Sequence, residues 1–240
     1  MTRPDPQTTQ SPLSRTIKSW EVALRTSFGR RIDTPLQRAL SRIHVHLFDH
    51  EFVRIPWTNF AKVSEGVYRS NQPTRPRLRR MKAMGIRTII NLRGAGNNAS
   101  YLFEEETARE LGIALLEVPL NARRAPKRER LLELIEMMRR AERPMLMHCK
   151  SGADRAGLAS AIYQIVFDGV PVSQAAKQLD WRFIHLKSTA TGICDHLLEV
   201  YRVRNARSPI GFEDWIRTEY DARALSQSFA KNGWRLTEEP

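Results

Sequence analysis

Residues 148–157, His148-Cys149-Lys150-Ser151-Gly152-Ala153-Asp154-Arg155-Ala156-Gly157, constrain this chain more than any other stretch. The apolar run Pro144-Met145-Leu146-Met147 before them reads as a short buried strand, and Leu158 to Phe167 after them as a helix, so the motif is a strand-to-helix turn. Amides at the start of a helix point into such a turn and the macrodipole adds partial positive charge, which makes it an anion site. A Cys held there ionises readily, because thiol pKa values fall from about 8.5 toward roughly 3.5–7.5 at helix N-termini beside cations. Arg155 follows Cys149 after five intervening residues and brings a planar fork that binds two anionic oxygens at once. The bland alternative, a buried structural Cys near an unrelated surface Arg, leaves the strand–turn–helix setting unexplained.

The flanking chain alternates strands and helices. Entry strands fall within 57–73, with Gly66 at the turn; Arg77–Met84 is helical and Gly85 ends it; Ile86–Leu92 is a strand. A Glu-rich helix over 100–111 stops at Gly112, Ile113–Val118 is the next strand, and a helix with Leu131, Leu134, Ile135 and Met138 on its core face follows. Beyond the motif, Val172–Trp181, Gly192–Asn205 and Phe212–Tyr220 read as helices. The pattern predicts an α/β fold with a central, mainly parallel sheet flanked by helices and an N-terminal helical extension. Residues 1–12 form a polar, proline-containing disordered tail, 13–55 the extension, 56–206 the catalytic domain and 207–240 a C-terminal helical segment and tail.

Charge narrows the partners. The 240 residues carry a net charge of +13, so something acidic is the expected partner, though a field alone does not separate nucleic acid, anionic membrane and phosphorylated substrate. Seven basic residues and no acid occur between Arg69 and Arg87, and Arg123, Arg124, Lys127, Arg128 and Arg130 form a second cluster, each read as a solvated face or a binding surface. Neither cluster has interleaved aromatics, which argues against nucleic acid. In the extension, Leu13, Ile17, Trp20, Leu24 and Phe28 mark a basic amphipathic helix suited to packing on the domain or to peripheral contact with an anionic membrane. A second helix begins at Thr34-Pro35-Leu36-Gln37, with Leu36, Leu40, Ile43 and Leu47 as the docking stripe. His46 and His50 are spaced to share one helical face, but His44, His46 and His50 have no matching cluster of Cys or carboxylate ligands nearby, so no metal is expected. Two cysteines, Cys149 and Cys194, make no disulfide framework, and no apolar run is long enough to span a bilayer; the expected location is the cytoplasm, with membrane association allowed. Oligomeric state is not legible in the sequence.

His-Cys-x5-Arg in this setting resembles the phosphate-binding loop of Cys-dependent phosphatases. Val67-Tyr68-Arg69-Ser70-Asn71-Gln72-Pro73 and Ile89-Ile90-Asn91-Leu92-Arg93-Gly94 are similar to the dual-specificity branch of that superfamily, and the resemblance covers roughly residues 60–205. It implies the Cys-phosphatase fold and a reaction in which Cys149 attacks phosphorus, a phosphocysteine forms and water releases phosphate, with no cofactor. It further implies phosphate binding by residues 150–155 (Lys150, Ser151, Gly152, Ala153, Asp154, Arg155), ordering of the loop by His148, and supporting places for Asn71 and Arg93.

Two positions depart from that branch. Its upstream acid loop corresponds to Asn121–Pro126, yet no Asp or Glu occurs from Pro119 to Arg128. The carboxylate nearest the nucleophile in sequence is Asp154, and an Asp before the Arg resembles the loops of myotubularins and Sac-type phosphoinositide phosphatases, where it is a proposed proton donor. Asp154 is therefore the candidate general acid and base, against a bracing role toward Arg155 or the loop amides. Asp180 and Asp195, from the helical C-terminal part, are the remaining candidates for the acid, with solvated surface the preferred reading of both. Ala156 stands where the family usually has Ser or Thr, whose hydroxyl assists the departing thiolate.

The expected function is hydrolysis of a phosphate monoester on a strongly anionic substrate, a phospholipid headgroup being favoured through Lys150 and the basic surroundings. Two alternatives stay open: a phosphotyrosine or phosphoprotein phosphatase, and a phosphate-binding module with weak turnover, suggested by the missing loop acid and Ala156.

Overall fold

The computed structural model describes residues 28–236, so the expected tail over 1–12 and nearly all of the basic helix Leu13–Phe28 lie outside the described residues. Packing divides the chain into two units, one running up to Glu51 together with Asn97–Phe103, the other comprising Phe52–Gly96 and the chain from Glu104 onward.

The second unit holds a sheet of five strands, β1 Ala61–Ser64, β2 Val67–Asn71, β3 Thr88–Asn91, β4 Ala114–Glu117 and β5 Met145–Cys149, in the order β1-β2-β5-β3-β4. β1 pairs antiparallel with β2, and Gly66 makes the turn between them at φ +67°. The other pairings are parallel. Strands covered on both faces can be apolar throughout, and Met145, Leu146 and Met147 are accordingly fully buried at the centre of the sheet. β5 is thereby held on both edges, with Asn71 opposite Cys149 and Asn91 opposite His148.

The first unit holds α1 Pro35–Leu47, and the sheet of the second is flanked by α2 Arg75–Ala83, the part of α3 Ala99–Leu111 from Glu104 onward, α4 Arg128–Arg140, α5 Asp154–Phe167, α6 Ile193–Arg207, α7 Phe212–Thr218 and α8 Ala222–Asn232. The stripe read from sequence on α4, Leu131, Leu134, Ile135 and Met138, is fully buried. Each such side chain contributes roughly 1.5–3 kcal/mol of apolar burial. Phe212, Trp215, Ile216, Tyr220 and Leu225 enter the same buried cluster, so the C-terminal helices share the core of the sheet.

Two local expectations change. Val172–Trp181 is a broken segment: a single α-turn at Val172–Ala175, then 3-10 turns at Ala176–Gln178 and Trp181–Phe183. The cause is Arg69, which takes both the backbone carbonyl and the side-chain oxygen of Gln178, so that carbonyl is not available to a helix. Within the first unit, α1 starts as expected, with Thr34 and Gln37 forming a reciprocal capping box. Its stripe nevertheless faces out. Leu36, Ile43 and Leu47 are about half exposed, while Ser41 and Val45 are buried and His44 packs between Phe28 and Phe48.

Candidate active site

Cys149 ends β5 and Asp154 begins α5, so the turn 150–153 lies over the N-terminus of a fourteen-residue helix. Its carbonyls are bound by groups outside the turn. Lys150 O accepts from Gln72 N, Ser151 O from Asn59 Nδ2 at 2.8 Å, and Gly152 O and Ala153 O from Arg69 Nη2 at 2.6 and 3.1 Å. With these oxygens pulled outward, Gly152 N–H points at Cys149 Sγ, 3.3 Å away, while Ala153 N–H donates to Ser151 Oγ at 3.3 Å. Gly152 adopts φ +77°, and a Cβ there would meet Asn71 N at 2.6 Å, so both the backbone angle and the space exclude a side chain.

Arg69 corrects the reading of its cluster as a solvated face. It is fully buried, stacked 3.9 Å from the Phe183 ring, and burial lowers its pKa to about 10, which keeps it charged at neutral pH. Its neighbours also separate in space: Arg75 pairs with Glu110, Arg87 with Glu142, and Arg77 donates to Asn71 Oδ1.

His148 is fully buried, with Nε2 2.7 Å from Glu104 Oε1, a close polar contact off the ideal hydrogen-bond angle. Glu104 Oε2 accepts from Gln72 Nε2 and Asn91 Nδ2, so one buried carboxylate ties β2, β3 and β5 together beneath the turn. Asn71 donates to the carbonyls of Arg54 and Trp57, and Arg93 donates to Gln72 Oε1, both bracing the strand ends around Cys149. Arg155 reaches the carbonyls of Leu92 and Leu120 at 3.4 and 3.5 Å, and its buried Nε has no hydrogen-bond partner among the described residues. A buried guanidinium nitrogen without a partner fits an oxyanion ligand.

Asp154 Oδ1 lies 2.7 Å from His185 Nδ1, and His185 Nε2 lies 2.6 Å from Asp195 Oδ2. Burial disfavours a charged His185, but its hydrogen bonds to the two carboxylates outweigh that and raise its pKa to about 9. Asp195 is thus a buried partner and not solvated surface, whereas Asp180 caps the 3-10 turn at Trp181. Sequence reasoning missed His185, Asn59 and Glu104 because each acts across a long sequence separation and none belongs to a local pattern. The upstream loop contributes no carboxylate, and Asn121 accepts from the Arg123 amide.

Residues 58–192 match the family model described as DSP-PTPase phosphatase fused to NAD+ kinase. The dual specificity protein phosphatase TpbA of Pseudomonas aeruginosa is 27% identical over 128 residues, 52% of this chain and 54% of that protein, so the chain spans about half the length of the curated relatives it matches. Among solved structures, that of P. aeruginosa TpbA aligns with TM-score 0.48 and 21% identity over 73% of this chain and 92% of that one. The catalytic core of the PP-IP phosphatase SIW14 from S. cerevisiae aligns with TM-score 0.48 and 18% identity over 73% and 93%.

Proposed function

This chain belongs to the DSP-PTPase phosphatase family, and on that footing we propose that it hydrolyses a phosphate monoester through a phosphocysteine, with 56–206 as the catalytic part and 13–55 as an extension. The observation that carries the reading is the pairing of Cys149 with Arg155 across one turn whose carbonyls are tied back and whose arginine keeps a buried, unpartnered Nε among the described residues. Cys149 attacks phosphorus while Arg155 and the turn amides hold the equatorial oxygens, whose charge they stabilise as the bond to the leaving oxygen breaks. Asp154 gives its proton to that oxygen and takes one from the water that cleaves the phosphocysteine.

A phospholipid headgroup is the substrate we favour. Trp181, Ile184 and Leu186 are 79%, 54% and 54% exposed, Arg182 and Lys187 stand among them, and Phe183 and His185 alternate inward. Asn59 ties this segment to the turn by donating to both Ser151 O and Phe183 O. Apolar tips mixed with cations suit the headgroup boundary of an anionic membrane. No helix among the described residues is long and apolar enough to cross one.

Phosphate release by the protein and by Cys149→Ser, from a small aryl phosphate, a phosphotyrosine peptide and short-chain phospholipids, tests both statements. Release by the parent and none by Cys149→Ser is the expected result. A parent inactive on every substrate overturns the enzyme reading, and preference for the peptide overturns the lipid one.

A further inference from the structure

His185 is the one buried imidazole within the described site that touches the chemistry through a second residue. It lies in a segment of irregular backbone, 31 positions from Asp154 and 10 from Asp195, yet both ring nitrogens end on a carboxylate, at 2.7 and 2.6 Å. Its side chain is fully buried, while those of Asp154 and Asp195 keep 19% and 11% of their surface. A ring protonated on both nitrogens donates to both oxygens at once, whereas a neutral ring has only one proton to donate and would need the second from a carboxyl group. The residue before it is held at a cost: Ile184 sits at φ 58°, ψ 32°, a left-handed conformation that a β-branched residue keeps only where its surroundings impose it. That turn is what carries the chain from exposed Ile184 to buried His185.

Resting on the reading of Asp154 as proton donor, we propose that His185 is its positioning residue and proton store, holding Asp154 Oδ1 fixed and carrying between the two half-reactions the proton that the leaving oxygen takes and the attacking water returns. Oδ1 is occupied by His185, and Oδ2 makes no hydrogen bond among the described residues, so Oδ2 is the atom for the substrate. In the first half-reaction the Cys149 thiolate forms the S–P bond, the P–O bond breaks with its electron pair on the leaving oxygen, and that oxygen takes the proton carried on Asp154 Oδ2 as His185 passes its Nδ1 proton to Oδ1. His185 is left neutral. In the second, water forms a P–O bond, the S–P pair returns to Cys149, and the water proton passes through Asp154 back to His185. Phosphate leaves with no net change in the protein's protons. Asp195 keeps the store charged by facing its other nitrogen, and no carboxylate is then needed in the loop Asn121–Pro126, where there is none.

The His185 imidazolium lies one hydrogen bond from Asp154, at 2.7 Å, and binds its proton more firmly than a free imidazole does because two carboxylates face it. Among the described residues, Cys194 of α6 lies within electrostatic reach of Asp154, Asp195, Cys149 and Arg155, and Arg69 of β2 within reach of Asp154, Cys149 and Arg182.

The test is the dependence of kcat on the leaving group, measured on the full chain with an alkyl phosphate and with an aryl phosphate that needs little protonation. His185→Gln is expected to lose 100-fold or more on the alkyl ester, as Asp154→Asn does, while its aryl-phosphate burst stays within about threefold and its affinity for inorganic phosphate is kept, in the range that general acid catalysis contributes. Asp195→Asn, nearly isosteric, guards against a folding failure: its alkyl-phosphate rate is expected to fall about tenfold at pH 8 and to recover at pH 6. Equal losses on both esters in His185→Gln with a flat pH response in Asp195→Asn would make the array structural only and overturn the inference. Retention of alkyl activity by His185→Gln alongside its loss in Asp154→Asn overturns the inference and leaves the Asp154 reading standing; retention by Asp154→Asn overturns both.

Discussion

Arg69 Nη2 donates to the carbonyl oxygen of Gly152 at 2.6 Å, joining the middle of β2 to the turn that follows Cys149. Its other terminal nitrogen binds Gln178 O at 2.5 Å, so one buried side chain shapes the turn and breaks the helix expected behind it. Replacing Arg69 by Met keeps the volume and strips the donors from buried carbonyls, at about 1–3 kcal/mol for each one left unsatisfied. The expected outcome for Arg69→Met is a lower thermal midpoint together with at least a tenfold loss of inorganic phosphate affinity. Arg69→Lys should restore part of the stability but little of the affinity, because an ammonium cannot span both carbonyls in one plane.

Gly152→Ala should abolish phosphate release while leaving a folded protein. The added methyl would sit 2.6 Å from Asn71 N and 2.7 Å from Ser70 C, both backbone atoms that cannot step aside without moving β2. Gly169 is the matched control, at φ +65° with open space around it. Gly169→Ala carries only the left-handed strain, about 1–2 kcal/mol. Phosphate affinity and thermal midpoint measured on both variants separate the clash from the strain; an active Gly152→Ala would mean that the turn is not held as described.

The contrast between these residues shows what a one-dimensional reading can reach. Cys149, Arg155 and the need for Gly152 announce themselves locally, since a strand, a turn and a helix N-terminus are consecutive in the chain. The stripe Leu131, Leu134, Ile135 and Met138 was legible for the same reason, because helical periodicity records which face is buried. The depth of Arg69 was not legible because charge counted along a sequence says nothing about burial: it shares a basic run with exposed Arg79 and Arg80, yet it lies on β2, where Ser70 and Asn71 beside it are buried as well. Asp195 was misread because the feature that buries it, His185, lies on another element. Long-range pairs of this kind have no period, so only the fold brings them together.

Stability should fall on the alkaline side through His185. Its pKa is about 9 in the folded chain against 6.5 for a free imidazole, so between those values the folded state binds the extra proton. The contribution is fully present below pH 6.5, declines as pH rises and is lost on passing through about 9. Thermal melts of the parent protein should therefore drop between pH 6.5 and 9.5 more steeply than those of His185→Gln, in which Asp154 and Asp195 face an uncharged amide. Parallel pH curves for the two proteins would show that His185 is not charged in the fold.

Membrane contact by the segment 181–187 predicts opposite effects on stability and binding at a single position. Ile184 is exposed and held at φ 58°, so Ile184→Gly removes about 1–2 kcal/mol of backbone strain and should raise the thermal midpoint. The same change deletes an apolar tip and should weaken sedimentation with vesicles of anionic phospholipid. Trp181→Ala removes the largest tip and should lower vesicle affinity about tenfold, equivalent to about 1.4 kcal/mol, within the roughly 1.5–3 kcal/mol that full burial of a large side chain contributes. Turnover of a soluble aryl phosphate should be unaffected by Trp181→Ala, because that side chain is 79% exposed and makes no hydrogen bond to the turn. Vesicle affinity unchanged in both variants would remove the segment from any membrane contact, and with it the observation that favours a lipid substrate over a phosphopeptide.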